Sequence, residues 1–109
     1  MLKEEAFLES IETAFSMNQA KIASYSLHRL DSGSLTPEEV SRALASRIRE
    51  NAALGLGKGS LYLLISQSTA EGVSILRERF AAMDIHMHDT DFEETIAALA
   101  PPEAEESHE

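Results

Sequence analysis

The sequence predicts an α-rich α+β fold in which two N-terminal helices are followed by a short β-α-β unit and a C-terminal helix. Three observations lead to this prediction. Apolar residues recur at helical spacing in the first half of the chain, an apolar run of strand length lies near its middle, and helix-capping signals precede the later segments. The alternative prediction is an all-α helical bundle.

Residues 3–30 are predicted to form one long helix. No Pro or Gly interrupts this segment, which ends before the turn-forming sequence DSGS. Acidic residues are concentrated near its start and basic residues come later, an order that complements the helix dipole. The apolar positions that fall near helical spacing are Phe7, Ile11, Ala14, Phe15, Ile22 and Leu30.

A capping box predicts the start of the second helix. Thr36 can accept a hydrogen bond from the first helical turn, Pro37 suits the first helical position, and Glu39 completes the S/T-x-x-E pattern. The apolar spacing that follows extends this helix to Ile48. Its predicted buried face consists of Val40, Leu44 and Ile48.

The glycine-rich sequence LGLGKGS comes next and has some features of a phosphate-binding loop. Such a loop requires Ser or Thr after the lysine, whereas Gly59 follows Lys58, and Ala52 occupies the position of the first glycine. We therefore predict a flexible connection, with Gly55 ending the second helix.

The predicted β-α-β unit follows this connection. Ser60–Ser66 is an apolar run typical of a buried strand, and Ser68 with Glu71 forms a capping box for a helix that continues to Met83. Ile85–Asp89 is predicted as a second strand, which would pair parallel with the first. In the all-α alternative, the first strand and the following segment join into one helix.

The last predicted helix spans residues 91–100, and Pro101 and Pro102 prevent its continuation. The chain is therefore predicted to contain one globular domain, residues 1–100, and an acidic, disordered tail, residues 101–109. The two capping pairs that can start this helix are Thr90 with Glu93 and Asp91 with Glu94.

The net charge of −10 is concentrated at the C-terminal end. Residues 1–83 contain 10 acidic and 9 basic side chains, whereas residues 84–109 contain 9 acidic side chains and no Lys or Arg. Acidic blocks of this kind often serve as interaction tails and repel nucleic acid and anionic membranes. The alternative is a disordered end that only keeps the chain soluble, and composition does not distinguish the two. The chain has no cysteine, no membrane-length apolar run and no signal-peptide pattern, so we expect a cytoplasmic protein without a membrane partner.

The middle of the chain has the opposite charge balance. Residues 40–83 contain 6 basic and 3 acidic side chains, and the predicted second helix presents a cluster of arginines. We expect this basic face and the acidic C-terminal region to take part in partner binding, the acidic segment folding over the basic face and competing with an acidic partner. The predicted partner-binding residues are Arg42, Arg47, Arg49, Asp91, Glu93 and Glu94.

Two histidines near the last helix form a candidate metal site. In an extended segment, His86 and His88 project to the same side, where both can bind Zn²⁺ or Ni²⁺, and Asp91 can add an oxygen ligand. No distant third ligand accompanies them unless His28 lies nearby. The competing interpretation places both histidines at a sheet edge and uses Asp91 as a helix cap.

These patterns favour a small protein-binding module over an enzyme, because no serine lies in a G-x-S-x-G nucleophile motif. We expect an adaptor, chaperone-like protein, inhibitor or regulatory subunit without a cofactor, acting through its acidic C-terminal segment and an apolar helical face. A homodimer and a partner with a basic surface are expected. The alternative is a metal-binding sensor or enzyme with Zn or Ni at His86 and His88. A third hypothesis, nucleic-acid binding through the helix-two arginines, conflicts with the overall charge.

Overall fold

The computed structural model describes residues 2–100, which form four helices and one four-stranded sheet. No helix within this part of the chain is long and apolar enough to cross a membrane. The elements in chain order are α1 (Glu4–Gln19), β1 (Tyr25–Ser32), α2 (Pro37–Leu44), β2 (Ala52–Gly57), β3 (Ser60–Ser66), α3 (Ala70–Ala81), β4 (Ile85–Asp89) and α4 (Phe92–Leu99).

The chain is α+β, but the predicted order of elements is wrong. A strand separates the first two helices, and a second unpredicted strand follows α2. The sheet order is β2-β3-β1-β4, and every neighbouring pair is antiparallel, so the all-α alternative is wrong. The strands and helix of the predicted β-α-β unit are present as β3, α3 and β4, but their predicted direct pairing is wrong: β1 lies between the two strands and is antiparallel to both, so β3 and β4 run parallel without being neighbours. The predicted acidic tail, residues 101–109, lies outside the described residues.

The sheet lies between two layers of helices. Strand β3 is an inner strand whose two faces both lie under helices, so its side chains are buried on both sides and its sequence is apolar at successive positions. The core on the α2 and α3 face contains Leu30, Val40, Leu44, Leu54, Leu61, Leu63, Ile65, Phe80, Ile85 and Met87. The core on the α1 and α4 face contains Phe7, Ile11, Ala14, Leu27, Tyr62, Leu64 and Leu99.

Helix α1 ends at Gln19, far before the predicted end at Leu30. Lys21 adopts the left-handed conformation with φ of 60°, and its N–H donates to the carbonyl oxygen of Asn18 at 3.1 Å. The N–H of Ile22 donates to the carbonyl oxygen of Met17 at 3.0 Å, which completes a Schellman motif. This motif usually has glycine at the left-handed position. Because Lys21 occupies that position, the sequence gives no local signal that the helix ends there.

Strand β1 was missed because its two faces are chemically mixed. Leu27 packs in one core and Leu30 in the other, and their spacing of three residues imitates helical periodicity. Ser26 and His28 lie on the same strand face as Leu30, where a purely structural strand would carry apolar residues.

The glycine-rich sequence forms strand β2 and a hairpin turn, which corrects the predicted flexible connection. A β-carbon at Gly55 would lie 2.0 Å from Cδ1 of Phe7, and one at Gly57 would lie 2.6 Å from Leu99. Both glycines therefore allow helices to pack closely against the strand. Lys58 and Gly59, both with positive φ, form the two-residue turn into β3.

The capping predictions have mixed outcomes. The Thr36 hydroxyl accepts from the N–H of Glu39 at 3.2 Å, and Asp91 caps α4 by accepting from the N–H of Glu94 at 2.9 Å, as the sequence indicated. Helix α3, however, is capped by Thr69 rather than Ser68. Helix α2 ends at Leu44, because the following residues turn away before Ile48.

Candidate functional site

A polar network crosses the sheet where β1 begins and β4 ends. Ser26 and His28 lie two residues apart on β1 and therefore project from the same face. Asp89 is the register partner of His28 across the β1–β4 pair. Arg77 of α3 lies above this pair and donates from its guanidinium to the Asp89 carboxylate and from Nε to the carbonyl oxygen of Met87 at 3.2 Å.

His28 joins the two sides of the network. Its Nδ1 lies 3.0 Å from Oδ1 of Asp89, and its Nε2 lies 2.8 Å from the Ser26 hydroxyl oxygen. The Ser26 hydroxyl also lies 2.7 Å from the hydroxyl of Ser68, just before α3. The hydrogen bonds therefore form one chain, Ser68–Ser26–His28–Asp89–Arg77, that links α3, β1 and β4.

Burial keeps the His28 imidazole neutral at neutral pH. Only 3% of His28 is exposed, and this burial lowers the pKa of its imidazole. The negative charge of Asp89 acts in the opposite direction and raises this pKa, whereas the positive charge of Arg77 lowers it further. An ionised carboxylate can only accept hydrogen bonds, so the proton of the neutral ring lies on Nδ1 and is donated to Asp89. Nε2 is then an acceptor, and the Ser26 hydroxyl donates its proton to it.

This network borders a pocket of about 540 Å³ between β1, α3 and the start of α4. Its volume is in the range of small-molecule sites. Polar groups lie on the side of β1 and the α3 N-terminus, while Val73 and Phe92 provide apolar lining. The remaining lining residues that belong to the network are Ser26, His28, Ser68, Arg77 and Asp89.

A second concavity, of about 320 Å³, lies between α3 and the segment that connects α2 to β2. We call it the arginine groove, because Arg47, Arg49 and Arg79 line it. Among the described residues, none that lines the groove is acidic and none of these three arginines forms an ion pair. Its apolar lining consists of Ile48, Ala52, Ile65, Val73, Ile75 and Leu76.

Asn51 anchors the connecting segment beside the groove. Its side-chain amide donates to the carbonyl oxygen of Ser66 at 2.7 Å, and its own carbonyl oxygen accepts from the N–H of Ser66 at 2.8 Å. These bonds tie the segment to the end of β3. The carbonyl oxygen of Arg49, two residues earlier, accepts from the N–H of Ala52 at 3.0 Å, which links the Arg49 backbone to the start of β2.

The structure brings together only part of the predicted partner-binding set. Arg47 and Arg49 share the groove, but they follow α2 instead of lying on it, and Arg42 is exposed elsewhere on that helix. Arg79 completes the groove and was not singled out from the sequence. The acidic members of the set, Asp91, Glu93 and Glu94, lie at the start of α4, which packs on the other face of the sheet.

The predicted metal-binding histidines lie on the edge strand β4. His86 and His88 are exposed on one face, while Ile85 and Met87 enter the core, as the alternation predicted. Nε2 of His86 lies 3.2 Å from Asp84, and Nε2 of His88 lies 3.0 Å from Asp31. Asp91 is engaged as the α4 cap.

Within residues 2–100, no group of three or more His, Asp or Glu side chains is arranged to hold a metal ion. His28 does not supplement the pair, because it projects from the opposite face of the sheet. Metal binding at His86 and His88 therefore stays a prediction.

The Ser26–His28–Asp89 network was not anticipated from the sequence. The available signal was the spacing of Ser26 and His28, two residues apart. This spacing places both side chains on one face only if residues 25–32 form a strand. Asp89 is 61 residues from His28 in sequence, and its role depends entirely on the β1–β4 register.

Comparison of the chain with known protein families, curated proteins and solved structures finds no match.

Proposed function

We propose that this chain is a protein-binding module whose arginine groove binds an acidic, apolar-containing segment of a partner protein. The single observation that carries the proposal is the composition of the groove. Three guanidinium groups without ion-pair partners in the described chain surround an apolar floor that lacks any acidic side chain.

The guanidinium groups supply the charge complementarity for this ligand. Arginine forms bidentate hydrogen bonds with carboxylates and is weakly hydrated, so it is well suited to acidic peptides. Because Arg47, Arg49 and Arg79 come from two separate chain segments, carboxylates at different positions of one peptide can contact them together.

The apolar lining favours a peptide over a simple polyanion. Ile75 of α3 is 46% exposed, which is unusual for a large aliphatic residue in this chain, and it lies at the groove beside Leu76. Covering such a side chain with an apolar peptide residue removes hydrophobic area from water. Among residues 2–100, no aromatic side chain lines the groove, so this part of the chain offers no stacking platform of the kind typical of single-stranded nucleic-acid sites.

The acidic C-terminal segment is proposed to act as an intramolecular competitor for the same groove. Residues 101–109 contain four glutamates and no basic side chain other than a histidine. Such a tethered acidic segment is present at high effective concentration and weakens binding of an external acidic ligand. Self-association as a dimer stays a separate prediction, which light scattering on the purified protein tests.

The test is a fluorescence-anisotropy titration with a labelled peptide of alternating Glu and Leu. We expect binding by the full chain and a loss of affinity of at least about 10-fold in the triple variant Arg47→Gln, Arg49→Gln, Arg79→Gln. The matched control is Lys3→Gln, Lys21→Gln, Arg42→Gln, which removes the same charge from exposed positions outside the groove lining. Equal loss in both variants would show a nonspecific charge effect and contradict the proposal.

Two additional titrations separate the competing interpretations. Deleting residues 101–109 is expected to tighten peptide binding, and unchanged affinity would contradict the competitor role of the acidic segment. A labelled single-stranded oligonucleotide is expected to bind weakly or not at all. Oligonucleotide binding that exceeds peptide binding and weakens steeply with salt would instead favour a nucleic-acid site.

A further inference from the structure

We propose that the pocket above β1 is a serine-nucleophile site that cleaves small carboxylic esters, with Ser26 as nucleophile and His28 as its general base. Nucleophilic serine requires a base within hydrogen-bond distance and a third group that orients the base. The separations of 2.8 Å from Ser26 to His28 Nε2 and 3.0 Å from His28 Nδ1 to Asp89 meet both requirements.

Asp89 is the positioning residue of this site. By accepting the Nδ1 proton, its carboxylate fixes the tautomer in which Nε2 is free to take the serine proton. Arg77 holds the same carboxylate from α3, which limits its rotation. The orientation of the base is therefore set by two elements: the neighbouring strand β4, which carries Asp89, and helix α3, which carries Arg77.

The first turn of α3 supplies hydrogen-bond donors beside the nucleophile. Thr69 and Ala70 line the pocket, and Ser68, directly before them, contacts the Ser26 hydroxyl. The first N–H groups of a helix have no acceptor within it, and only that of Gly72 is taken by the Thr69 cap, at 3.0 Å. The N–H group of Ala70, which lines the pocket, can therefore stabilise negative charge that develops on a carbonyl oxygen there.

The proposed reaction proceeds in two balanced steps. The Ser26 oxygen forms a bond to the ester carbonyl carbon while its proton passes to His28 Nε2; the ester C–O bond then breaks and the alcohol leaves with that proton. Water attacks the acyl-serine in the same way, giving its proton to His28. The Ser26 oxygen leaves the acyl carbon and recovers the proton, so that ester and water yield alcohol and carboxylic acid.

The experiment measures labelling of the full chain by a fluorophosphonate, followed by mass spectrometry of the modified residue. In this reaction the Ser26 oxygen bonds to phosphorus, fluoride leaves, and His28 accepts the proton. We expect one modification, at Ser26, that is absent in Ser26→Ala and retained in Ser74→Ala, which changes an exposed serine of α3 that does not line the pocket. Labelling at another serine, or no labelling of the folded protein, would overturn the proposal.

Asp89→Asn separates a catalytic network from a merely structural one. An asparagine amide can donate to His28 Nδ1, which places the imidazole proton on Nε2 and removes the base without changing side-chain size. We expect labelling to fall at least about 100-fold while the circular dichroism spectrum is retained. Unchanged labelling in this variant would overturn the assignment of His28 as base.

Turnover of p-nitrophenyl acetate provides the second readout. Histidines react with this ester on their own, so the diagnostic comparison is between the wild type and Ser26→Ala, which share all four histidines. We expect an acyl-enzyme burst only in the wild type. Equal hydrolysis by both proteins, without a burst, would show background imidazole reactivity and contradict the proposal.

Discussion

The Nδ1 atom of His28 lies 3.0 Å from Oδ1 of Asp89, its direct register partner on the neighbouring strand. This pair joins a buried imidazole to an exposed carboxylate at the edge of the sheet. It depends on β1 and β4 being antiparallel neighbours, an arrangement absent from the sequence-based prediction.

The burial of His28 predicts that the protein loses stability as the pH falls below neutrality. The pKa of His28 in the folded protein is lower than its value of 6.5 in the unfolded chain, so the unfolded state takes up a proton first. Above pH 6.5 both states are neutral, and below it the free energy of unfolding decreases until the lower folded pKa is reached. The slope from this one group is at most about 1.4 kcal/mol per pH unit.

Denaturant unfolding at about pH 7.5 and about pH 5.5 measures this effect. The decrease is expected to be smaller in His28→Gln, which has no proton to take up. An equal decrease in the free energy of unfolding of His28→Gln would show that other groups cause the pH dependence.

Close packing between Gly55 and Phe7 predicts that Gly55→Ala is destabilising. The added β-carbon would overlap the Phe7 ring, so α1 must move away from β2. We expect a loss of about 1–3 kcal/mol in the free energy of unfolding. Gly33→Ala is the control, because its nearest contact would be 3.6 Å from Asp84 and its stability should change by less than about 0.5 kcal/mol. Equal effects of the two substitutions would contradict the packing argument.

The Schellman motif at the end of α1 predicts that Lys21→Gly is stabilising. Lys21 has a φ of 60°, a conformation that costs a non-glycine residue about 1–2 kcal/mol, while glycine adds about 0.5–1 kcal/mol of chain entropy. We expect a net gain of about 0.5 kcal/mol in thermal or denaturant unfolding. Glu12→Gly, at an exposed position inside the helix, should instead cost about 1 kcal/mol. Destabilisation by both glycines would indicate that the helix does not end at Lys21.

The metal hypothesis is tested by the Zn and Ni content of protein purified without an affinity tag. Stoichiometric metal that disappears in His86→Ala would establish a site at His86 and His88. Each histidine is hydrogen-bonded to a different carboxylate, Asp84 or Asp31, so a bound ion would have to reorganise both pairs. Metal-free protein with unchanged folding would remove the support for this function.

The sequence predicted the elements whose signals are local. The Thr36 capping box, the Asp91 cap and the apolar run of β3 are all recognisable within a few neighbouring residues. By contrast, β2 contains Gly55 and Gly57 because helices pack against it, a tertiary reason that no local pattern reveals. Without β1 and β2, the two predicted strands could be joined only as a parallel pair.

In the candidate sites, too, the sequence predicted only what depends on neighbouring residues, and missed what depends on tertiary packing. Arg47 and Arg49 could be selected from the sequence because they lie close together in a basic stretch, whereas Arg79 joins them only through the packing of α3. The Ser26–His28–Asp89 network required both the strand assignment of β1 and its pairing with β4. The polar residues that form this network are also the reason that β1 was not recognised as a strand.

The most direct test of the proposed binding function is a pull-down from native lysate with four proteins. These are the full chain, a version ending at Ala100, the triple arginine-groove variant and the matched control that lacks Lys3, Lys21 and Arg42. We predict that one acidic partner is captured by the first two and by the matched control, and is lost only with the arginine-groove variant. Capture that depends on residues 101–109 but not on Arg47, Arg49 and Arg79 would contradict the account and place recognition in the acidic segment.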